Sequence, residues 1–134
     1  MKISTLMSYA HGFGGASQEI VELEKAGLDV VWVPEAYSFD AVSAMGYLAA
    51  KTERITIASG ILNIYSRTPS LLAMTAAGLD ELSNGRFMLG LGASGPQVVE
   101  GFHGVPYDAP VTRIREIVEI CRNVWLREDK LNYA

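Results

Sequence analysis

The sequence predicts an α/β fold built on a parallel sheet of four βα units, and three observations lead to it. Four short runs, residues 2–9, 29–34, 55–62 and 86–92, are β-rich and almost continuously apolar, as strands covered on both faces are. Helical patterns with recognisable ends lie between them. The strand starts recur about every 25–32 residues, the length of one βα unit. Alternation of this kind with short connections implies right-handed crossovers and parallel neighbours.

The elements follow in order. Ser17 is placed to cap a first helix that runs to Ala26 and stops at Gly27, with Glu19 in its first turn. Asp40 caps a second helix over residues 41–51. Thr68-Pro69 joins a cap to a proline at the first helical position and opens a third helix reaching about Ser83. Asn84-Gly85 supplies a left-handed turn into the fourth strand. A short helix is expected at 97–102 and a last one at about 110–127, with Asp108 or Pro110 near its start. Residues 127–134 trail off where a fifth strand would be approached. No sequence repeat beyond the unit period and no low-complexity linker interrupts the chain.

Two architectures fit this order: a small open doubly wound sheet, or part of a (β/α) barrel. No GxGxxG follows the first strand, which weakens a dinucleotide-binding reading of the former. The long segments 63–68 and 93–109 follow the third and fourth strands, where a barrel carries its substrate loops.

Composition narrows the function. Apolar residues are 49% and charged residues 19% of the 134, as in a folded globular chain. A net charge of −4 without a basic cluster argues against nucleic acid. No run approaches membrane-spanning length and the N-terminus opens directly on a strand, so a cytoplasmic protein with no membrane partner is expected. The single Cys121 precludes an internal disulfide and lies in a helical pattern as a small buried hydrophobe. His11 and His103 stand far apart in sequence with no paired spacing, so no metal site is expected.

Four stretches carry a more specific signal: VWVPEAY at 31–37, SGILNIYSRTP at 59–69, LDELSNGRFMLGLG at 79–92 and ASGPQVVEGFHG at 93–104. In combination they resemble the luciferase-like monooxygenase superfamily, and within it the branch using the deazaflavin coenzyme F-420 more than the branch using FMN. The resemblance spans essentially the whole chain but only the first part of a typical member. It implies a TIM-barrel type fold of which residues 1–134 are a single N-terminal half, cut after the fourth βα unit. It also implies a parent oxidoreductase that transfers hydride between F-420 and a small organic substrate. The alternatives are an FMN-dependent monooxygenase and a catalytically inert half-barrel.

The resemblance also implies a site. Members hold their ring at the C-terminal mouth of the barrel, and Gly60-Ile61 matches a strand-three bulge with a non-prolyl cis peptide. Ser59, Gly60, Ile61 and Asn63 around that bulge, with Gly92, Ala93 and Ser94 after the fourth strand, are the implied cofactor contacts. Free N–H groups at 92–96 can form a nest for a polar ring, with Ser94 as an extra donor. Ser8, Tyr9 and Tyr65 would face the same mouth. Glu35, ending the second strand, is the candidate catalytic residue, as acid/base or as acceptor for ring N–H groups. Its structural alternative is to pair with Arg67 or cap a helix. Ala36 stands where some relatives have a proton-donating histidine, and Gly95-Pro96 where sugar-phosphate enzymes carry a glutamate; both departures argue against that chemistry. Arg67 is otherwise expected beside Asp80 or Glu81, and His103 is a loop residue near the mouth.

Four strands leave two unpaired edges, and an inner face bearing Ile3, Val31, Ile57 and Leu89 is expected to meet water. Association into a homo-oligomer through those edges is therefore expected.

Overall fold

The computed structural model describes residues 1–128, 130 and 132. Its elements are β1 (Ser4–Leu6), α1 (Gly12–Lys25), β2 (Val30–Val33), α2 (Ala41–Lys51), β3 (Thr56–Ser59), β4 (Leu62–Asn63), α3 (Pro69–Leu82), β5 (Phe87–Met88), β6 (Leu91–Gly92), α4 (Pro96–Val99) and α5 (Pro110–Leu126). The main sheet has the order β1-β2-β3-β5 with every pair parallel, and β4 pairs with β6, also in parallel. This is the α/β arrangement of successive βα units. The expectation for the tail falls partly on 129, 131, 133 and 134, which lie outside the described residues.

Most boundaries match the expected signals. Asp40 accepts from the Ser43 N–H at 2.8 Å and Thr68 from the Leu71 N–H at 3.3 Å, each capping the helix that follows. Asn84 and Gly85 take φ of 55° and 76°, the left-handed turn before β5. The first helix differs: it begins at Gly12, not after Ser17. Ser17 is buried inside it and donates its hydroxyl back to the Gly14 carbonyl, where a capping serine would instead accept from an N–H further along the helix. The short helix also begins earlier and ends earlier, at Pro96–Val99.

The apolar core lies between the sheet and its helices. Val31, Val33 and Ile57 are 1% exposed or less and pack with Ile20, Met45, Leu48 and Leu72. Val31 and Ile57 therefore do not belong to the open face, contrary to expectation. Strand side chains alternate, and these two have the helix-facing parity. The opposite parity gives a row in register across all four strands: Leu6, Trp32, Ala58 and Met88. Leu6 and Met88, at the two edges, are 61% and 41% exposed.

Where the strands begin, two charged side chains tie the layers together. Glu24, at the end of α1, accepts from the N–H groups of Glu53, Arg54 and Ile55 at 2.7–3.2 Å. Arg86 donates to Ser83 O, Thr52 Oγ1, Ile55 O, Ala49 O and Thr52 O at 2.7–3.1 Å. Cys121 is buried, and burial pushes its thiol pKa up. No described helix is long and apolar enough to cross a membrane.

Candidate functional site

Because the strands are parallel, the segments that leave their C-terminal ends gather at one end of the sheet. There the third strand is interrupted. Before the break Ala58 faces Met88, and after it Leu62 faces Leu91. Three residues, Ser59–Ile61, thus oppose two, Leu89 and Gly90, which is a one-residue bulge. The Gly60–Ile61 peptide within it is cis, as the resemblance implies. Ser59 fastens the bulge: its Oγ accepts from the Gly90 N–H at 2.7 Å and donates to the Gly90 carbonyl at 2.9 Å. The approach requires glycine at 90, where a Cβ would stand 2.1 Å from the Ser59 carbonyl oxygen. Ser59 is fully buried, so its hydroxyl positions the bulge.

Gly60 donates its N–H to the Val33 carbonyl at 2.8 Å, seating the bulge against the end of β2. A Cβ on Gly60 would lie 3.2 Å from Trp32 Cβ, and one on Gly92 would lie 3.0 Å from Ile61 Cγ1. Glycine at these two positions lets Trp32 and Ile61 pack directly against the backbone of the bulge and of β6. Asn63 pairs across to Gly92 and is 2% exposed. Its Oδ1 accepts from the Tyr65 N–H at 2.9 Å, while its Nδ2 has no partner among the described residues. Ala93 packs on the edge of the core, and Ser94 is exposed with a left-handed φ of 54°.

Glu35 lies two residues beyond β2, and its carboxylate is engaged. Arg67 meets it with both terminal nitrogens, at 2.6 and 2.7 Å, in the fork geometry guanidinium and carboxylate share. Both side chains are only 12–13% exposed. Glu35 also accepts from the Ala41 N–H at 3.1 Å, at the start of α2. Arg67 reaches Asp40 as well, at 2.7 Å, so one guanidinium ties together two acids at that helix start. Hydrogen bonding to Glu35, against the effect of burial and with the charges of Glu35 and Asp40 adding to it, holds the Arg67 pKa above its ordinary value. Asp40 is also partly buried, which opposes its charge. Bonds from the Ser43 N–H and hydroxyl, together with Arg67, outweigh this and set its pKa below the usual range. Arg67 thus pairs with Glu35 and Asp40, not with Asp80 or Glu81.

Tyr9 completes the group. Its hydroxyl is buried without a hydrogen-bond partner among the described residues, and its ring meets Phe39 edge-on at 5.2 Å. Burial raises its pKa, and the nearby charges of Glu35 and Asp40 raise it further. Tyr65, beyond the bulge, donates its hydroxyl to the Asp108 carbonyl and lies under the Arg113 guanidinium, so it braces two loops. Sequence reasoning gave Arg67 and Asp40 only structural roles. The structural alternative for Glu35, pairing with Arg67 or capping a helix, is what the structure shows on both counts, while the bond from Arg67 to Asp40 was not anticipated.

Comparisons with known proteins identify relatives of this fold. The chain is 41% identical over 115 residues to a Mycobacterium tuberculosis protein named as a coenzyme F-420-dependent oxidoreductase, covering 86% of this chain and 33% of that one. The F-420-dependent tetrahydromethanopterin reductase of Methanopyrus kandleri superposes with a TM-score of 0.81 at 25% identity. The oxygenating constituent of 3,6-diketocamphane monooxygenase from Pseudomonas putida, in complex with FMN, does so with 0.87 at 21% identity. Each covers 100% of this chain and 42% of its own. The chain therefore spans a third of the length of that curated relative and under half of these barrel enzymes. With residues 2–134 matching the model of the luciferase-like monooxygenases, the chain belongs to that family.

Proposed function

We propose that this chain supplies the ring-binding half of an oxidoreductase site, with the deazaflavin F-420 as cofactor and a small organic molecule as substrate. One observation carries the reading: two buried polar groups without partners among the described residues, Tyr9 Oη and Asn63 Nδ2, follow the C-terminal ends of β1 and β3. Buried polar groups are normally satisfied, and such vacancies are what a polar-edged ring would fill. The donor set fits a flat heterocycle. Asn63 offers an amide N–H to a ring carbonyl, Tyr9 offers a hydroxyl, and Ile61 and Trp32 offer apolar contact. Gly60, Ile61, Gly92, Ala93 and Ser94 would form the floor and rim, with Ser59 holding the bulge beneath them.

When bound, the ring supplies two-electron hydride chemistry. The chain's own residues orient it and exclude water. Glu35 is the acidic group we assign to the reaction's charge balance. Its Arg67 fork fixes its orientation, so it acts as a fixed acceptor facing ring or substrate N–H groups. A transferable proton requires the Arg67 bond to open. FMN is the second reading, favoured by the superposition on the FMN-bound monooxygenase.

Titrating the chain with F-420 and with FMN, and following cofactor absorbance and fluorescence, tests the proposal. Saturable binding of F-420 that Asn63→Ala weakens by about tenfold, as loss of one buried hydrogen bond to a ligand does, supports it. Saturable binding of FMN alone selects the second reading, and binding of neither overturns both for this chain.

A further inference from the structure

The strand-end segments carry a second feature that ring binding does not use. Tyr37, from the β2–α2 loop, and Phe102, after α4, meet edge to face with centroids 5.3 Å apart, and His103 stacks edge-on to Phe102 at 5.1 Å. Tyr37 and Phe102 are 61% and 56% exposed, so two large rings from different loops stand together in water. Other exposed aromatics have local partners. Tyr47 packs against Phe13 and carries Lys51 over its ring, and Trp125 donates its indole N–H to the Ala73 carbonyl. Tyr37 and Phe102 have mainly each other.

Charge at the same end is one-sided. The segments leaving the strands, residues 7–11, 34–40, 60–68 and 93–109, contain Glu35, Asp40, Glu100 and Asp108 but a single arginine, Arg67. That arginine is already bound to two of the acids. The one neighbouring cation, Arg113 at the start of α5, is bound to Asp108. Among the described residues of these segments and the start of α5, no guanidinium or ammonium is left unpaired to receive a phosphate or carboxylate. The surplus acids repel one. Aromatic edges and faces, by contrast, suit a flat apolar ring, and their negative faces tolerate positive charge.

We infer that Tyr37, Phe102 and His103 form a substrate platform for a planar aromatic compound that carries no anionic group. The inference rests on the strand-end face being the binding end, and it adds the substrate class that the cofactor reading leaves open. The platform uses none of the residues assigned to the ring, so each reading can be tested by its own substitutions.

Three probes of equal ring size decide it: neutral 2-naphthol, anionic 2-naphthoate and cationic N-methylquinolinium, each titrated into the 134-residue chain by ligand-observed saturation-transfer NMR. 2-Naphthol and N-methylquinolinium should bind, and 2-naphthoate should bind at least about tenfold more weakly. Tyr37→Ala with Phe102→Ala should abolish the transfer, and Tyr37→Phe with Phe102→Tyr should keep it. Both positions are exposed, so neither change opens the core. F-420 and FMN titrations of the double alanine variant should match those of the parent chain. Equal or tighter binding of 2-naphthoate, no binding of 2-naphthol, or unchanged 2-naphthol transfer in the double alanine variant overturns the inference. Loss of cofactor binding along with naphthol binding would make these rings part of the cofactor's own seat, and also overturns it. If neither cofactor binds while the naphthol pattern holds, the cofactor reading fails and the platform stands.

Discussion

The two ends of this sheet treat polar groups in opposite ways. Where the strands begin, Arg86 places its five N–H donors on five oxygens, and the Glu24 carboxylate gathers three backbone N–H groups. Where the strands end, Tyr9 and Asn63 keep buried polar atoms unpaired among the described residues, and Tyr37 and Phe102 stand exposed. The same strands make both ends, so strand propensity cannot explain the contrast. A (β/α) barrel divides labour this way, with stability invested at one end and chemistry at the other. An unsatisfied buried group costs about 1–3 kcal/mol, so the strand-end face is held together at a cost that the opposite end does not carry.

If that division is right, substitutions at the satisfied end should be the most damaging. Arg86→Ala removes the shared donor from the carbonyls of Ala49, Thr52, Ile55 and Ser83 at once. We expect a loss of about 3 kcal/mol in urea denaturation. A loss below about 1 kcal/mol would show that water replaces the guanidinium freely, and the comparison would lose its stronger half.

Glu24→Gln comes next, at about 2 kcal/mol near neutral pH, because an amide oxygen is a weaker acceptor for those three N–H groups. Burial opposes the charge on Glu24, but the N–H bonds from Arg54, Ile55 and Glu53, with the Arg54 guanidinium, outweigh it and lower its pKa below the ordinary 4.5. A carboxyl whose folded-state pKa is depressed contributes fully above its unfolded-state value and loses that contribution as pH falls through the folded one. The gap between wild type and Glu24→Gln should therefore narrow below pH 4.5. A gap that stays constant from neutral pH to acid would mean the charge itself contributes nothing.

Much of the fold was legible beforehand, and the failures have physical causes. Caps at Asp40 and Thr68 and the turn at Asn84-Gly85 are local chemistry, so residues adjacent in sequence decide them. The cis peptide at Gly60-Ile61 was readable only through the family motif, whereas Ser59-Gly60 within the run 55–62 signals no more than a glycine bulge at a strand end. Ser17 misled because a serine can cap a helix or bond back within one, and the preceding glycines do not announce a helix. Val31 and Ile57 were put on the wrong face because a strand covered on both sides has no alternation from which to read parity. The pairing of Glu35 with Arg67 was among the readings the sequence offered, but the reach of Arg67 to Asp40, 27 positions away, is one that no local pattern reports.

The faces of the sheet allow a further test of the contrast. The helix-facing side is closed by Val31, Val33 and Ile57, while the other carries the row Leu6, Trp32, Ala58 and Met88. In a parallel sheet the free side of β5 is complementary to the free side of β1, so two copies can continue each other's sheet and close a ring of eight strands. At about 100 µM we expect the 134-residue chain to associate, and Leu6→Glu with Met88→Glu to return it to a monomer by light scattering. Leu82→Glu, on an exposed part of α3, is the control and should not. A monodisperse wild-type monomer at that concentration would refute the pairing.

The smallest effect is the sharpest, because its sign is opposite to the others. Tyr9 Oη is buried, bears no hydrogen bond and sits near Glu35 and Asp40. Tyr9→Phe keeps the ring, its edge-on contact with Phe39 and its place against the core. Only the unsatisfied hydroxyl goes. The ligand-free chain should therefore become more stable, by about 0.5–1 kcal/mol, whereas deleting a polar group at the other end destabilises by several times that. The same substitution should weaken cofactor binding if the hydroxyl is a ligand contact, separating stability from function at a single atom. A destabilised Tyr9→Phe chain would mean that the hydroxyl is satisfied through water, and the strand-end face would then be no less complete than the opposite end.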